Sequence, residues 1–363
     1  MKIGIDGRCF LVRRTGVGRY VWSMCQALND ALPEAQFVVY GRSDIELPVT
    51  SPRWQVRDIY SRRKRFPLNM PRYLLSGRHV ANDQVDVFWA TNTVVPFGLG
   101  NIPVVASVYD LTHVIAPETM DVRNRVLLTA LYARSIRRAQ ECVSISHGTA
   151  RRLTARYGKP VRWVAHPALD GVFAVPAPHV QQAAMDKHGL SGRYVLCVGT
   201  LEPRKRLECA ILGYLHAQDR GLAQDWALAI VGGRGWKGSR LEGLVEKGMA
   251  RGVKMLGFVD DEDLAALYAR AAFLFFPSQY EGFGFPVLEA GACGSAVVAA
   301  DLEEVREAAG PGARMVGPGL RPVVSAFADA LSVPPGPAGV PSPMPTWEHS
   351  GRVLAAALQA AAR

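Results

Sequence analysis

Short apolar runs alternate with helix-like segments along most of the chain, and this alternation limits the folds that are open to it. In the first half the strand-like runs read KIGID, FVVY, DVFWA, PVVASVYD and CVSIS. In the second half they read YVLCVG, WALAIVGG, VKMLGF, AFLFFP and SAVVAA. Strands that are separated by helices form parallel sheets with helices on both faces. The sequence therefore predicts an α/β fold with doubly wound parallel sheets.

An irregular, proline-containing stretch interrupts the alternation near the middle of the chain. It reads HPALDGVFAVPAPH and shows no strong period. A chain of 363 residues also favours two domains over a single core. We therefore predict an N-terminal domain over residues 1–168 and a C-terminal domain over residues 169–345.

A second proline-rich and glycine-rich stretch, VPPGPAGVPSPMP, spans Val333–Pro345. Because proline fits neither a helix interior nor a central strand, this stretch is predicted to be a linker. Residues 346–363 then read as a terminal amphipathic helix, for which Thr346 is the predicted N-cap.

The cysteines and the N-terminal residues bear on the compartment. The six cysteines show no spacing typical of a zinc site, so we expect reduced and mostly buried thiols. The opening residues MKIGIDGRCF enter a strand directly and lack the features of a signal peptide, and no stretch reads as membrane-spanning. We expect a cytoplasmic protein.

The positive charge is concentrated in the first half. Residues 1–170 hold 24 Lys and Arg against 13 Asp and Glu, whereas the rest hold 18 against 19. Basic groups at Arg62–Arg65, and at Arg134, Arg137 and Arg138 with helical spacing, could face anionic lipid headgroups or form a solvated basic surface. Nucleic acid is not an expected partner, because no base-reading motif is present.

Two glutamates flank a glycine-rich loop in the segment AFLFFPSQYEGFGFPVLEAGACG. A strand ends near Pro277 and a helix is predicted to begin at Pro286, so Glu281 lies in the loop and Glu289 in the first helical turn. Loops at the carboxyl ends of parallel strands bind ligands, and helix N-termini attract phosphate. Glycine allows close backbone approach. The ligand-binding prediction for this loop covers Gly282, Phe283 and Gly284. Singly, each glutamate could instead be a helix-dipole or solvated surface residue.

Two cations stand at another turn from strand to helix, in GTLEPRKRLE. Arg204 and Lys205 could neutralise a diphosphate there without a metal ion. The alternative is a surface ion pair between Glu202 and Arg204 or Arg206.

Two N-terminal segments follow strands and are candidates for the same crevice. In TGVGRY, Gly16 and Gly18 could present backbone amides to phosphate or acceptor, ahead of a helix opened by Arg19 and Tyr20, although a lone Gly-x-Gly is weak support. In VYDLTHV, Asp110 and His113 could bind a sugar hydroxyl or handle a proton. For His113, a structural role is at least as well supported.

Taken together, GIDGR, TGVGRY, VGTLEPRKRLE, LGFVDDEDLAALYARA and FPSQYEGFGFPVLEAGACG resemble the retaining glycosyltransferases of family 4. The resemblance covers nearly the whole chain and implies the GT-B architecture. That architecture has two Rossmann-like domains that face each other across a cleft, an N-terminal acceptor-binding one and a C-terminal nucleotide-sugar-binding one. It also implies that the helix over residues 346–363 crosses back onto the first domain.

The resemblance also assigns roles. Glu281 would contact the donor sugar, Glu289 the nucleotide ribose, and Arg204 and Lys205 the diphosphate, with Gly16 beneath it. No metal or other cofactor is implied. The family often has His-Asp where this chain has Tyr109 and Asp110. The usual histidine contact is therefore lost, moved to His113, or made by the tyrosine hydroxyl.

The predicted activity is retaining transfer of a hexose, with mannose from GDP-mannose as the first expectation, to a hydroxyl acceptor. The expected acceptor is a lipid-linked glycan of bacterial surface polysaccharide, such as lipopolysaccharide, O-antigen or exopolysaccharide, at the inner face of the plasma membrane. The alternatives are a UDP-sugar or dTDP-sugar with a soluble small-molecule acceptor, and a non-catalytic nucleotide-sugar-binding protein. A glycosidase also uses two carboxylates, but Arg204 and Lys205 argue against hydrolysis.

Overall fold

The computed structural model describes residues 1–11, 16–60, 69–233, 239–317 and 319–363. They form two compact units. Unit 1 comprises Met1–Val114, Met120–Ala168 and Pro345–Arg363, and unit 2 comprises Ile115–Thr119 and Leu169–Met344. The predicted basic run at 62–65 and the first residue of TGVGRY lie outside the described residues.

Unit 1 is built on a seven-stranded parallel sheet. The strands are β1 (Lys2–Asp6), β2 (Gln36–Gly41), β3 (Trp54–Asp58), β4 (Val87–Ala90), β5 (Val104–Val108), β6 (Glu141–Ser144) and β7 (Trp163–Val164). Their order across the sheet is β3-β2-β1-β4-β5-β6-β7. The helices are α1 (Gly16–Ala31), α2 (Asn69–Leu74), α3 (Gly77–Asn82), α4 (Thr112–Ile115), α5 (Val122–Arg138) and α6 (His147–Tyr157).

Unit 2 repeats this plan with six parallel strands. They are β8 (Arg193–Val198), β9 (Trp226–Val231), β10 (Val253–Gly257), β11 (Phe273–Phe276), β12 (Val297–Ala300) and β13 (Arg314–Val316), in the order β10-β9-β8-β11-β12-β13. The helices are α7 (Pro178–Lys187), α8 (Leu207–Asp219), α9 (Ser239–Met249), α10 (Asp261–Arg270), α11 (Phe285–Ala292), α12 (Glu303–Ala308) and α13 (Leu320–Ser332).

Both sheets confirm the predicted α/β class, and their central strands are buried on both faces. Every residue of β4, β5, β11 and β12 is buried. This is the pattern expected when helices cover a parallel sheet from two sides, and it explains the continuous Val, Phe and Ala runs. The strand order reverses between β1 and β4 in unit 1, and between β8 and β11 in unit 2. Such reversals open a crevice at the carboxyl ends of the strands, where doubly wound proteins bind ligands.

The stretch Val333–Pro345, predicted to be a linker, is non-helical but packs closely on unit 2. The Ala338 amide donates a 3.0 Å hydrogen bond to the Ser295 carbonyl, and Ala338 itself is buried. A Cβ at Gly291 would lie 2.0 Å from the Gly339 carbonyl oxygen. The linker prediction was therefore incomplete, because glycines on both sides let this backbone lie directly against α11.

The terminal helix α14 (Trp347–Ala362) is part of unit 1 and packs on α1. Thr346 caps it as predicted, since its hydroxyl accepts a 3.2 Å hydrogen bond from the His349 amide. The Trp347 ring meets the Tyr20 ring at 5.8 Å between centroids. A Cβ at Gly351 would lie 2.4 Å from Ala27 Cβ, so glycine permits the close crossing of the two helices.

All six cysteines are described, and each is buried and free of a disulfide, as predicted. Burial raises the pKa of the Cys142 thiol to about 11. Among the helices of the described ranges, none has both the length and the apolar character needed to cross a bilayer.

Candidate active site

The loops that follow β8 and β11 meet at the strand reversal of unit 2. A short 3-10 helix, Pro203–Lys205, stands in the first loop, and Glu281 stands in the second. The backbone amide of Gln279 donates a 2.8 Å hydrogen bond to the backbone carbonyl of Arg204, which connects the two loops. Because β8 and β11 are neighbours in the sheet, residues of these two loops lie close together although they are far apart in sequence.

Glu281 is 6% exposed and is bound by three side chains. Arg204 Nη1 lies 2.7 Å from Oε2, whereas Lys205 Nζ and Ser278 Oγ lie 2.6 and 2.7 Å from Oε1. Arg204 Nη1 also donates to the Tyr280 carbonyl at 2.9 Å. We call these four residues, Ser278, Glu281, Arg204 and Lys205, the Glu281 cluster.

The electrostatics of the cluster keep Glu281 ionised. Burial alone would raise the pKa of its carboxyl group, but the charges of Arg204 and Lys205 outweigh burial and lower that pKa to about 2. Glu202 Oε2 is 3.3 Å from Arg204 Nη2, so the predicted alternative pair also forms, although Glu202 is 33% exposed. The Glu281 cluster thus holds two partly exposed cations and one buried carboxylate, an arrangement suited to an anionic ligand.

The glycine-phenylalanine loop leads into α11 one residue earlier than predicted. Gly284 has a φ of 114° and is the N-cap, so the helix begins at Phe285 rather than Pro286. Glu289 is therefore its fifth residue and not a first-turn residue, which corrects the sequence prediction. Only glycine adopts this backbone conformation without strain, and it turns the chain into the helix early.

Glu289 lies in the interior of unit 2. Its side chain is 2% exposed, and the Tyr268 hydroxyl on α10 donates a 3.0 Å hydrogen bond to its Oε2. In the loop before α11, Gly282 and Phe283 are buried. The prediction that Glu281 and Glu289 belong to different elements is confirmed, because one lies in the loop and the other in α11.

The predicted Gly-x-Gly turn is part of a helix. Gly16 opens α1 and is exposed, and Gly18 lies in the first turn and is buried. The helix thus starts three residues before Arg19, where the sequence had placed its opening. Gly16 is the member of the pair whose amide lies at the accessible helix end.

Asp110 and His113 follow β5 in unit 1 and have different surroundings. Asp110 is half-buried and accepts a 2.9 Å hydrogen bond from the Thr112 amide. His113 is 5% exposed, with Nε2 3.1 Å from the Tyr157 hydroxyl and its ring 4.4 Å from that of Tyr132. Burial lowers the pKa of His113, so the neutral ring is favoured. These contacts favour the structural reading of His113, and its catalytic role stays a prediction.

The Tyr109 hydroxyl, a candidate replacement for the usual family histidine, is also used internally. It donates a 2.6 Å hydrogen bond to the Thr91 carbonyl, and the ring packs edge-on against Tyr20 at 5.4 Å. The contact brings the segment after β5 against α1. Asp110 therefore directly follows a residue that contacts α1, the helix that Gly16 opens.

A buried ion pair stands at the strand reversal of unit 1, and the sequence analysis did not single it out. Arg8 Nη2 lies 2.7 Å from Asp6 Oδ2, with the two side chains 10% and 0% exposed. Arg8 also donates to the carbonyls of Asn92 and Val94 at 3.3 and 3.4 Å, and its guanidinium lies 3.6 Å from the Tyr73 ring centre. The spacing GIDGR at the end of a strand was the available signal.

Two hydroxyl groups that hold the glutamates were also missed. Ser278 stands three residues before Glu281, a local spacing that could have been noticed. Tyr268 reaches Glu289 from another helix, and no local pattern indicates that contact.

Two family models match the chain in consecutive regions. The model described as "Glycosyltransferase Family 4" matches residues 14–168, and the model described as "Glycosyl transferases group 1" matches residues 181–324. The second region contains the Glu281 cluster and Glu289, and the first contains Gly16, Asp110 and His113.

Similar proteins include two curated mannosyltransferases. O-antigen chain mannosyltransferase B of Escherichia coli is 39% identical over 136 residues, which cover 37% of this chain and 35% of that protein. GDP-mannose-dependent alpha-(1-6)-phosphatidylinositol monomannoside mannosyltransferase of Mycolicibacterium smegmatis is 30% identical over 165 residues, which cover 43% of this chain and 42% of that protein. The match thus spans about a third to two fifths of each relative's length.

The same fold occurs in a solved structure, that of Anabaena Alr3699/HepE in complex with UDP-glucose. The TM-score is 0.66 at 17% identity, and the match covers 99% of this chain and 95% of that one. At this identity the similarity establishes the fold.

Proposed function

Because the chain belongs to the family 4 and group 1 glycosyltransferases, we propose that it moves a hexosyl unit from a nucleoside diphosphate sugar to a hydroxyl acceptor with retention of configuration. The observation that carries this proposal is the Glu281 cluster, in which Arg204 and Lys205 converge on one buried carboxylate at the strand reversal of unit 2. The two cations can neutralise the charge of a diphosphate, and the carboxylate can accept hydrogen bonds from sugar hydroxyls.

The cations act on the leaving group. When the bond between the anomeric carbon and the diphosphate oxygen breaks, negative charge grows on the diphosphate and positive charge on the sugar. Arg204 and Lys205 stay beside Glu281 and donate their remaining N–H groups to the diphosphate, assisted by the amides at the start of α11. The acceptor hydroxyl attacks the same face, and its proton passes to the departing diphosphate oxygen.

Glu281 then faces the sugar as an ionised group. With a pKa of about 2 it carries its negative charge at neutral pH, so it orients sugar hydroxyls and stabilises the positive anomeric centre. It is not required as a covalent nucleophile. Glu289 accepts hydrogen bonds from the ribose hydroxyls, which is a binding role.

In unit 1, Gly16 presents an amide to phosphate or acceptor, and Asp110 is the polar group at the end of β5 for sugar contact or proton handling. The contacts of His113 with Tyr157 and Tyr132 support a structural role for it, and its catalytic role stays a prediction. Since two side-chain cations are positioned for the diphosphate, no metal is required, and turnover is expected to persist in excess EDTA.

Mannose from GDP-mannose is the proposed donor, and the names of the two mannosyltransferase relatives support it. A lipid-linked glycan is the proposed acceptor, as the O-antigen relative suggests. The UDP-glucose complex of a structural neighbour supports the alternative of a UDP-sugar.

The experiment is a donor panel. The full chain is incubated with GDP-mannose, UDP-glucose or dTDP-glucose and with lipid-linked or soluble acceptors, and diphosphate release and product anomer are measured. Acceptor-dependent release with retained configuration supports the proposal. Binding without release with every acceptor would favour a non-catalytic binding protein, and cleavage of a plain glycoside would favour a hydrolase.

The proposed lipid-linked acceptor implies contact with a membrane, and α5 is the surface that fits. Its residues Val122, Val126 and Leu127 are 60%, 61% and 53% exposed. Arg123 and Arg137 on this helix are exposed as well. An exposed apolar stripe with flanking cations on a basic half of the chain suits an anionic bilayer surface.

Not every predicted basic residue of α5 contributes to that surface. Arg134 donates to the Val95 carbonyl at 2.6 Å and stacks 3.9 Å from the Phe97 ring centre. Arg138 donates to the carbonyls of Gly100 and Ile102 at 2.8 and 2.7 Å. These two arginines hold the loop between β4 and β5 and are partly withdrawn from solvent.

Vesicle flotation tests the membrane contact. The double variant Val126→Glu with Leu127→Glu is expected to lose binding to phosphatidylglycerol vesicles. A Val175→Glu control, made at a residue that is 62% exposed in unit 2, is expected to keep it. Equal binding by both variants would contradict the assignment of α5.

A further inference from the structure

Tyr268 joins two neighbouring helices of unit 2 through one buried hydrogen bond. Its hydroxyl on α10 donates to Glu289 Oε2 on α11 at 3.0 Å. Tyr268 is 0% exposed and Glu289 is 2% exposed, so water does not compete for this contact. A hydrogen bond to a buried carboxylate is among the stronger polar contacts in a protein.

The geometry makes Tyr268 a fixed donor. Its ring packs edge-on against Phe173 at 6.4 Å between centroids, and α10 begins at a cap in which Asp260 accepts a 3.0 Å hydrogen bond from the Asp263 amide. The glutamate side chain has three rotatable bonds, and one fixed donor restricts its orientation. Two carboxylate oxygens offer about four acceptor positions, and Tyr268 uses one of them.

We propose that Tyr268 is the positioning residue of the nucleotide subsite, acting through Glu289 on recognition of the ribose. The inference rests on the proposed function, because it takes Glu289 as the group that accepts the ribose hydroxyls. Tyr268 itself does not touch the ligand. Its hydroxyl holds the carboxylate in the orientation that accepts two vicinal hydroxyls at once.

The proposal is tested with Tyr268→Phe, which removes only the hydroxyl. Calorimetric titration of the full chain with GDP, or with UDP if that diphosphate binds better, is expected to show about 10-fold weaker binding. The preference for the ribonucleotide over its 2′-deoxy form is expected to fall toward unity, since a misoriented Glu289 no longer distinguishes them.

Tyr194→Phe is the matched control. The Tyr194 hydroxyl donates to the Leu267 carbonyl at 2.7 Å, and Tyr194 is 1% exposed, so this variant also removes a buried tyrosine hydroxyl that contacts α10. Its melting temperature should fall about as much as that of Tyr268→Phe. Its nucleotide affinity and its ribose preference should match the wild type.

A double-mutant cycle with Glu289→Ala completes the test. In that background Tyr268→Phe should cause no further loss of affinity. Equal nucleotide binding by the two tyrosine variants, or an undiminished effect of Tyr268→Phe without Glu289, would overturn the inference. A wild-type chain that binds neither GDP nor UDP would instead refute the proposed function on which the inference rests.

Discussion

The two units place a buried arginine-carboxylate pair at the same topological position, and the two pairs differ in composition. In unit 1, Asp6 and Arg8 lie two residues apart at the end of β1, and Arg8 is also bonded to two backbone carbonyls. In unit 2, Arg204 and Lys205 come from one loop and Glu281 from another. Unit 1 balances one cation with one acid, whereas the Glu281 cluster has two partly exposed cations for one buried carboxylate, and the more exposed Glu202 is a second partner of Arg204.

The two pairs differ in charge balance and in exposure to solvent. In unit 1 burial would lower the pKa of Arg8, but the attraction of Asp6 outweighs burial and raises that pKa, so Arg8 stays charged beside its partner. In unit 2 the side chains of Arg204 and Lys205 keep 15% and 14% exposure, so a ligand can reach them. In both units the charged residues lie where the strand order reverses. The balance of positive and negative side chains there determines whether an anion can bind.

The largest expected effect follows from removing Glu281. Glu281→Ala should slow turnover about 10²–10³-fold, because the carboxylate that stabilises the developing positive charge is lost. Steady-state kinetics on the panel donor measure this, and calorimetry with GDP checks that nucleotide binding persists. Normal turnover by this variant would remove Glu281 from the mechanism.

Substitution in the Asp6–Arg8 pair of unit 1 should instead lower the stability of the protein. Asp6→Asn leaves Arg8 buried without its counter-charge, at a cost of about 3–5 kcal/mol in the free energy of unfolding. Urea denaturation measures the loss, and Arg8→Lys provides a milder variant if the first does not fold. A large loss of GDP affinity in folded protein, without loss of stability, would make this pair a binding site as well.

The stability of unit 2 should depend on pH through Glu281. Its pKa falls from the ordinary value of 4.5 to about 2 on folding, so ionised Glu281 contributes about 3 kcal/mol above pH 5. That contribution decreases as the pH falls from 4.5 toward 2. The difference in unfolding free energy between wild type and Glu281→Gln, measured by urea titration, should shrink by about half between pH 7 and pH 3. A difference that stays constant would show that Arg204 and Lys205 do not lower the pKa of Glu281.

Removing one cation should weaken diphosphate binding selectively. Lys205→Ala is expected to lower GDP affinity about 10- to 100-fold, since a charge-assisted contact is lost. GMP affinity should change less, because GMP lacks the second phosphate of the diphosphate to which Lys205 is proposed to bind. Equal losses for GDP and GMP would point to a general disturbance of the loop.

The smallest effect is expected at His113. His113→Gln should lower the free energy of unfolding by about 1 kcal/mol through its contact with Tyr157, and the turnover rate should stay within about threefold of the wild type. Turnover that slows by about two orders of magnitude, at an unchanged melting temperature, would restore its catalytic role.

The sequence predicted ten of the strands, and the three it missed share a cause. The edge strand β3 carries the polar pattern WQVRD, and β7 and β13 have two and three residues. Such segments lack the buried apolar run that identifies a central strand. They are stabilised by pairing with strands that are already in place.

The candidate site was predictable in its members and less so in its contacts. Local residue types indicated Glu281, Arg204 and Lys205, but 76 residues separate Lys205 from Glu281, and their direct contact depends on β8 and β11 being neighbours. The start of α11 was misplaced because the positive φ of Gly284 is a property of the folded loop. Tyr268 escaped notice because a contact between helices leaves no periodic trace in a sequence.

The placement of α14 sets the order in which the protein becomes stable during synthesis. Within this chain, residues 1–168 are made before Leu169–Met344, and Leu169–Met344 must be made before Trp347–Ala362 arrives to cover α1. Until then Tyr20 and Ala27 lack the contacts with Trp347 and Gly351 that they make in the finished protein, which leaves an open groove along α1. A fragment cut at Ala168 would keep that groove open and be prone to aggregate. The half that is translated first is therefore the half that is completed last.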